Sequence, residues 1–175
     1  MITQQRLQEL VTYDLDTGTF TWLIDRGYKA KAGSIAGCYC NDGYVRIRLD
    51  DKLYTGHRMA WLYLYGELLY KPFEIDHIDN NRSNNAKNNL RKVDRSQNNC
   101  NITHKKNNKL GLKNISVATT KNVGYDKLYY TYSVEIKLKG IRKRKVFPYN
   151  DEGLQQAIKW RDKTISELHG EYGRT

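Results

Sequence analysis

The chain begins on a helical rhythm. Leu7, Leu10 and Val11 recur at helical spacing behind Thr3, a natural N-cap, and predict a short helix over 2–12. The period then shortens to two. Asp16-Thr17-Gly18 is a turn signal ahead of Thr19-Phe20-Thr21-Trp22, and Asn41-Asp42-Gly43 precedes Tyr44-Val45-Arg46-Ile47-Arg48-Leu49. In that last run Val45, Ile47 and Leu49 alternate with Tyr44, Arg46 and Arg48, which gives one buried face and one basic face. Asp50-Asp51-Lys52 turns the chain into Leu53-Tyr54-Thr55, so the region reads as a small antiparallel sheet. From His57 to about Leu69 the period lengthens again. Met59, Leu62, Tyr63 and Gly66 share a helical face, and Pro72 closes the segment.

Residues 73–102 carry a third pattern. Phe73 to Ile78 reads as a strand, 79–88 as an asparagine-rich loop and Leu90 to Val93 as a second strand. Asp94 then caps a helix starting near Arg95, which makes a β–β–α unit. Residues 103–113 are polar, basic and aperiodic, the features of a linker. Beyond it Tyr130, Tyr132, Val134, Ile136 and Leu138 alternate with Thr131, Ser133, Glu135 and Lys137. Lys139-Gly140 makes a hairpin turn into Arg142-Lys143-Arg144-Lys145-Val146-Phe147. Asn150 or Asp151 caps a final helix with an apolar stripe of Leu154, Ala157, Ile158, Ile165 and Leu168, ended by Gly170. The expected class is α+β: a small antiparallel sheet and helix leading into the β–β–α unit, then a three-stranded antiparallel sheet packed on a C-terminal helix. The expected modules are 1–102 and 114–175, joined by 103–113.

Charge changes this picture. Lys and Arg number 30 against 19 acidic residues, a net charge of +11. The excess is local: residues 101–145 carry 12 basic and 2 acidic side chains, whereas residues 1–100 carry 14 and 12. A basic block interleaved with strand-forming residues points to a nucleic-acid partner. Cys38, Cys40 and Cys100 are too few and wrongly spaced for a zinc knuckle or a disulfide framework, and read as reduced thiols. Met1 to Arg6 lacks the apolar core of a signal peptide, and no run approaches transmembrane length. The expected location is cytoplasmic.

The chemistry concentrates in Glu74-Ile75-Asp76-His77-Ile78-Asp79-Asn80, followed by Asn89-Leu90-Arg91 and Ser96-Gln97-Asn98-Asn99. A carboxylate and an amide carbonyl are hard oxygen ligands for a divalent cation, and a neighbouring imidazole can deprotonate water. These are the groups that phosphodiester hydrolysis with one metal ion needs. Neighbouring strand residues point to opposite faces, so Asp76 and His77 either approach a phosphate from two sides or sit on a distorted strand.

The order and spacing of these residues resemble the HNH nucleases, in particular the small phage-type and homing-type enzymes. The resemblance implies a metal-dependent endonuclease acting on double-stranded DNA with Mg²⁺ or Mn²⁺. It implies Asp76 as a metal ligand and His77 as general base. Asn89 would orient the imidazole or brace the loop, and Asn98 would be the second metal ligand, with Asn99 its rival. Asparagine stands here where the family's third letter is histidine, a variant shared by homing-type members. If phage-encoded, the protein would work in the host cytoplasm. Asn80, Asn81, Asn84, Asn85 and Asn88 are expected to brace the loop. His57 is expected to cap its helix, Arg58, Arg82 and Arg91 are candidates for phosphate contact, and His104 and His169 are expected to face solvent.

Three strands and a helix ending Glu167-Leu168-His169-Gly170-Glu171-Tyr172 resemble the Apetala-2 (ethylene-response-factor) DNA-binding domain over about 114–172. That resemblance implies a sheet lying in the major groove. Lys137, Arg142 and Arg144 are then the base readers, and Lys139, Lys143 and Lys145 the phosphate contacts. A DNA-binding protein without catalysis, or an RNA-binding protein, is the alternative reading of the same charge.

Overall fold

The computed structural model describes residues 1–28, 30–102, 108–121 and 128–174 of the 175. The fold is α+β, and its contacts divide the chain into two compact units, Met1–Arg95 and Ser96–Thr175.

The first unit opens on helix α1, Gln4–Leu10, whose N-cap Thr3 accepts a hydrogen bond from the Arg6 amide at 3.2 Å. The predicted helix is shorter than 2–12. Val11 already has extended backbone and starts strand β1, Val11–Tyr13, which pairs antiparallel with β2, Phe20–Trp22. A second sheet runs in the order β3 (Cys38–Tyr39), β4 (Val45–Leu49), β5 (Lys52–Thr55). The alternation in β4 is realised: Ile47 and Leu49 are buried and Arg48 is exposed. Helix α2, Gly56–Tyr65, buries Met59, Ala60, Trp61 and Leu62. It stops well before Leu69, because Gly66 takes a left-handed conformation (φ 72°) and turns its amide back to Leu62 O.

Strands β6 (Phe73–His77) and β7 (Leu90–Asp94) form an antiparallel pair joined by the asparagine-rich loop, which ends in a 3-10 turn at Lys87–Asn89. Leu7, Leu10, Phe20, Ile47, Leu49, Met59 and Leu90 share one core. Residues of α1, β2, β4 and α2 therefore share a core with Leu90 of the β6–β7 hairpin.

Helix α3, Arg95–Asn101, follows β7 directly, and from Ser96 on it belongs to the second unit. There β8 (Ile115–Lys121), β9 (Leu128–Leu138) and β10 (Ile141–Pro148) form an antiparallel sheet in the order β10-β9-β8. Its inner face packs on helix α4, Asp151–His169, around Ile115, Tyr132, Val134, Ile136, Phe147, Ala157 and Ile165. Asn150 is the N-cap of α4, its Oδ1 accepting from the Gly153 amide at 2.7 Å. Residues 103–107 of the expected linker lie outside the described residues. From Asn108 onward the chain belongs to the second unit. The Asn108 Nδ2 donates to Leu112 O and Ile115 O, and Leu110 and Leu112 pack against the second core.

Candidate active site

The cross-strand register of β6 and β7 sets Asp76 opposite Arg91 and His77 opposite Leu90. Alternation then separates the two functional side chains, and each finds its own partners. Asp76, 6% exposed, accepts hydrogen bonds at Oδ2 from Arg91 Nε (2.9 Å) and Nη2 (2.8 Å). His77, also 6% exposed, places Nε2 3.2 Å from Asn85 Oδ1. An amide oxygen only accepts, so with the amide in this orientation Nε2 is the donor of the contact.

Asn85 is 1% exposed and is itself held on several sides. Its carbonyl oxygen accepts from the Tyr13 hydroxyl at 2.7 Å. A Cβ at Gly18 would fall 2.2 Å from the Asn85 carbonyl carbon, and Gly18 has φ +70°, so only glycine suits that position. A Cβ at Gly56 would lie 2.6 Å from the Asn85 side-chain nitrogen. Gly18 thus leaves room for the Asn85 backbone and Gly56 for its side-chain amide.

Asn89 does a different job. Its Oδ1 accepts from the Asp79 amide (3.1 Å), and its Nδ2 donates to Asp79 Oδ1 (2.9 Å) and Asn84 O (2.8 Å). Asp79 also accepts from Asn84 Nδ2 and from the Asn81 amide, both at 2.7 Å. Of the two roles expected for Asn89, these bonds belong to bracing the loop, while Asn85 is the residue against the imidazole.

His57 differs from expectation. Thr55 is the N-cap of α2, without a side-chain cap bond, and His57 lies one turn-position inside. Its ring packs against that of His77, centroids 5.2 Å apart and nearly perpendicular, with Tyr44 5.1 Å from His57 and 6.1 Å from His77. Burial drives its pKa down to about 3, with His77 and Arg58 adding to the effect. His77 is likewise held below the ordinary imidazole value, first by burial and then by Arg82; Asn85, Asp79 and Asp76 act in the opposite sense. Both imidazoles are therefore neutral at neutral pH, and a neutral His77 is the form that accepts a proton.

The arginines are placed as follows. Arg91 is paired with Asp76, Arg82 donates to Asp42 O at 3.0 Å and lies 5.0 Å over the Tyr44 ring, and Arg58 donates to Leu69 O at 3.0 Å.

In the second unit, Asn98 is half-buried on α3 and Asn99 is exposed. The register sets Arg142 opposite Lys137 and Arg144 opposite Glu135, so all four share the face of the sheet away from α4. Glu135 pairs with Lys137 at 2.7 Å and also with Arg142, and Arg144 Nε donates to Ser133 Oγ at 3.2 Å. Lys143 and Lys145 alternate to the other face: Lys143 reaches Glu167 of α4 at 3.2 Å, and Lys145 Nζ lies 5.3 Å over the Phe147 ring. Lys139 occupies the hairpin turn with Gly140. His169 is buried, not solvent-facing, because it ends the core face of α4, where its Nε2 sits 3.2 Å from Lys137 O. His104 lies outside the described residues.

Asn85, His57 and Tyr44 are the neighbours of His77 that the sequence did not connect to it. The signal for Asn85 was its place in the loop; nothing local to the sequence links it to Gly18 or Gly56.

A family model described as HNH endonuclease matches residues 54–100, from the end of β5 to Cys100, which is less than half of the chain. The match supports a nuclease. No curated protein matches, and no solved structure matches. Among the described residues no helix is long and apolar enough to cross a membrane.

Proposed function

We propose that the chain is a metal-dependent endonuclease acting on duplex DNA, of the phage or homing type. The observation that carries this reading is the buried, neutral His77, its Nε2 held by Asn85, inside the segment that matches the nuclease family. His77 takes the proton from the attacking water, and Asn89 keeps the loop shaped around it through Asp79. A bound divalent cation supplies Lewis acidity to the phosphoryl oxygens and the leaving group. Asp76 and Asn98 would hold it. Their donor set fits a hard ion: one carboxylate and one amide oxygen leave the other positions to water and phosphate, as Mg²⁺ or Mn²⁺ prefers. Among the described residues no three His, Cys, Asp or Glu side chains cluster to hold a metal ion.

The second unit binds DNA through its open sheet face in the manner of an Apetala-2 domain. Lys137, Arg142 and Arg144 are its readers and Lys139, in the hairpin turn, a phosphate contact, while Lys143 and Lys145, which alternate to the other face of the edge strand β10, would reach only phosphates beyond that edge. One active site per chain cuts one strand per encounter. The deciding experiment is cleavage of supercoiled plasmid by wild type and His77→Ala, each with Mg²⁺ and with EDTA. Wild type nicks only with metal. His77→Ala loses about 10²–10⁴-fold in rate, the usual worth of a positioned general base, and binds DNA within about threefold of wild type. Cleavage by His77→Ala at the wild-type rate sinks the assignment. Binding without any cleavage by wild type replaces it with the non-catalytic reading.

A further inference from the structure

We infer that Arg91 acts through Asp76 as a positioning residue: its guanidinium offsets the charge of the carboxylate, so that the divalent cation and the DNA phosphate bind cooperatively. The inference rests on the reading of Asp76 as a cation ligand, and its test separates the two.

Three observations carry it. The antiparallel register sets Asp76 directly opposite Arg91, so the two side chains leave the same face of the β6–β7 hairpin. Both Nε and Nη2 of Arg91 donate to Asp76 Oδ2, at 2.9 and 2.8 Å. The side chains are 14% exposed for Arg91 and 6% for Asp76, so solvent screens the pair far less than it screens a surface ion pair. A guanidinium also keeps its proton throughout the ordinary pH range, which makes this positive charge a fixed part of the site.

The charge count follows from these contacts. Asp76 is the one charged ligand proposed, and an amide oxygen adds no charge to the set. With Arg91 bound to the carboxylate, a hard divalent cation meets donors whose charges already cancel. Its affinity for the protein alone is therefore weak. A phosphodiester brings a further negative charge, and phosphate oxygens are ligands that Mg²⁺ and Mn²⁺ take readily beside water. Cation and DNA then raise each other's affinity by the same factor, because such coupling is reciprocal. The cation is held firmly only where there is a phosphate to cut.

The test reads Mn²⁺ binding to the full chain from the electron paramagnetic resonance of the free ion, with the ion bound by duplex alone subtracted. Without DNA, Arg91→Gln is expected to bind Mn²⁺ about tenfold or more tighter than wild type. An opposite charge beside a carboxylate alters its proton affinity by about 10–1000-fold, and a metal cation feels that charge in the same sense. Arg91→Lys keeps the charge and is expected to lie closer to wild type than to Arg91→Gln. In His77→Ala, used to prevent cutting, added duplex is expected to tighten Mn²⁺ at least about fivefold, the low end of ordinary coupling. The double variant His77→Ala/Arg91→Gln should show less of that gain. A merely structural Arg91 predicts weaker Mn²⁺ binding on its loss, and that result overturns the inference, as does an unchanged affinity in folded Arg91→Gln. Binding that survives Asp76→Ala lies elsewhere and overturns it too. Should Arg91→Gln fail to fold, the His77→Ala measurement decides alone: equal Mn²⁺ affinity with and without duplex overturns the inference. If wild type nevertheless cleaves DNA with Mn²⁺, the nuclease reading stands without it. If wild type neither binds Mn²⁺ beside duplex nor cleaves, both fall.

Discussion

The hairpin around His77 and the open sheet face around Arg142 hold polar groups by opposite means. In the first unit the functional side chains are buried and each bond has a defined sense: Arg91 on Asp76, Asn85 on His77, Asn89 on Asp79. In the second unit the cations stand in solvent, and one carboxylate, Glu135, draws in Lys137 and Arg142 together. Removing a partner from a buried network leaves an unsatisfied group and costs about 1–3 kcal/mol or more, whereas an exposed ion pair is worth about 0–1 kcal/mol. The difference suits the two tasks proposed above. Chemistry needs atoms fixed to a fraction of an ångström, and a DNA-binding face needs side chains that exchange partners quickly.

The sharpest break in this comparison comes from the ligand side chains. Asp76→Ala removes one of two protein oxygens proposed to hold the cation and takes the Asp76 carboxylate from the half-buried Arg91. The Mg²⁺ concentration for half-maximal cleavage should rise by at least about 10–100-fold, the loss typical even of residues behind the ligands. Asn98→Ala should raise it in the same direction. If Asn98→Ala titrates like wild type and Asn99→Ala does not, the second ligand is one residue further along α3.

The next largest effect belongs to the exposed face. Replacing Lys137, Arg142 and Arg144 together by alanine removes up to three phosphate or base contacts. Each phosphate contact contributes about −0.9 to the slope of log affinity against log salt. Fluorescence anisotropy across a salt series should show the slope flattened by about two to three units, with the metal dependence of nicking unchanged. An unaltered slope would place recognition in the first unit.

How much of this could be read from the chain follows the same division. Elements set by local pattern were legible: the alternation of Val45, Ile47 and Leu49, the caps Thr3 and Asn150, and the strand pairs that put Arg142 and Arg144 on one face. The nuclease resemblance was legible too: the segment that the family model matches, residues 54–100, contains Asp76, His77 and Asn89. What surrounds His77 was not. Asn85 meets Tyr13 and Gly18, about seventy residues earlier, and those contacts exist only once α2 and the β1–β2 hairpin pack beneath the loop. Helix periodicity also overran at Gly66, where a left-handed cap stopped α2 although apolar residues continued. The polar run before Leu110 hid two leucines that pack on the second core.

A smaller effect comes from acid. The folded state holds His57 at about 3, below the ordinary imidazole value of about 6.5, and also depresses His77 and His169. Between those limits the unfolded chain binds more protons than the folded one, so stability is full above about pH 6.5 and declines as pH falls toward 3. Asp14, Asp25, Asp50 and Asp79 are also depressed, and their contributions are lost below about pH 4. Thermal melts should therefore fall in two stages. His57→Phe should make the decline between about pH 6.5 and 4 shallower. A first stage of unchanged size would show that another group titrates there.

The smallest effect tests how loosely the open face is held. Glu135 sits between Lys137 and Arg142, and these two, Lys137 first, draw its carboxyl below the usual range. Glu135→Gln removes one negative charge from a face proposed to meet phosphates and releases both cations from their pairing. Because such exposed pairs are worth about 0–1 kcal/mol, non-specific affinity should rise only about two- to five-fold. The salt slope should steepen by less than about one unit per cation released. Discrimination between the cleaved site and random duplex should fall at the same time, since an arginine no longer tethered to Glu135 reaches phosphate as readily as a base edge. Competition binding with both duplexes on one preparation reads all three quantities. A loss of affinity in Glu135→Gln would show that the carboxylate itself contacts the nucleic acid, accepting a hydrogen bond from a base, and that the face is organised around it and not merely restrained by it.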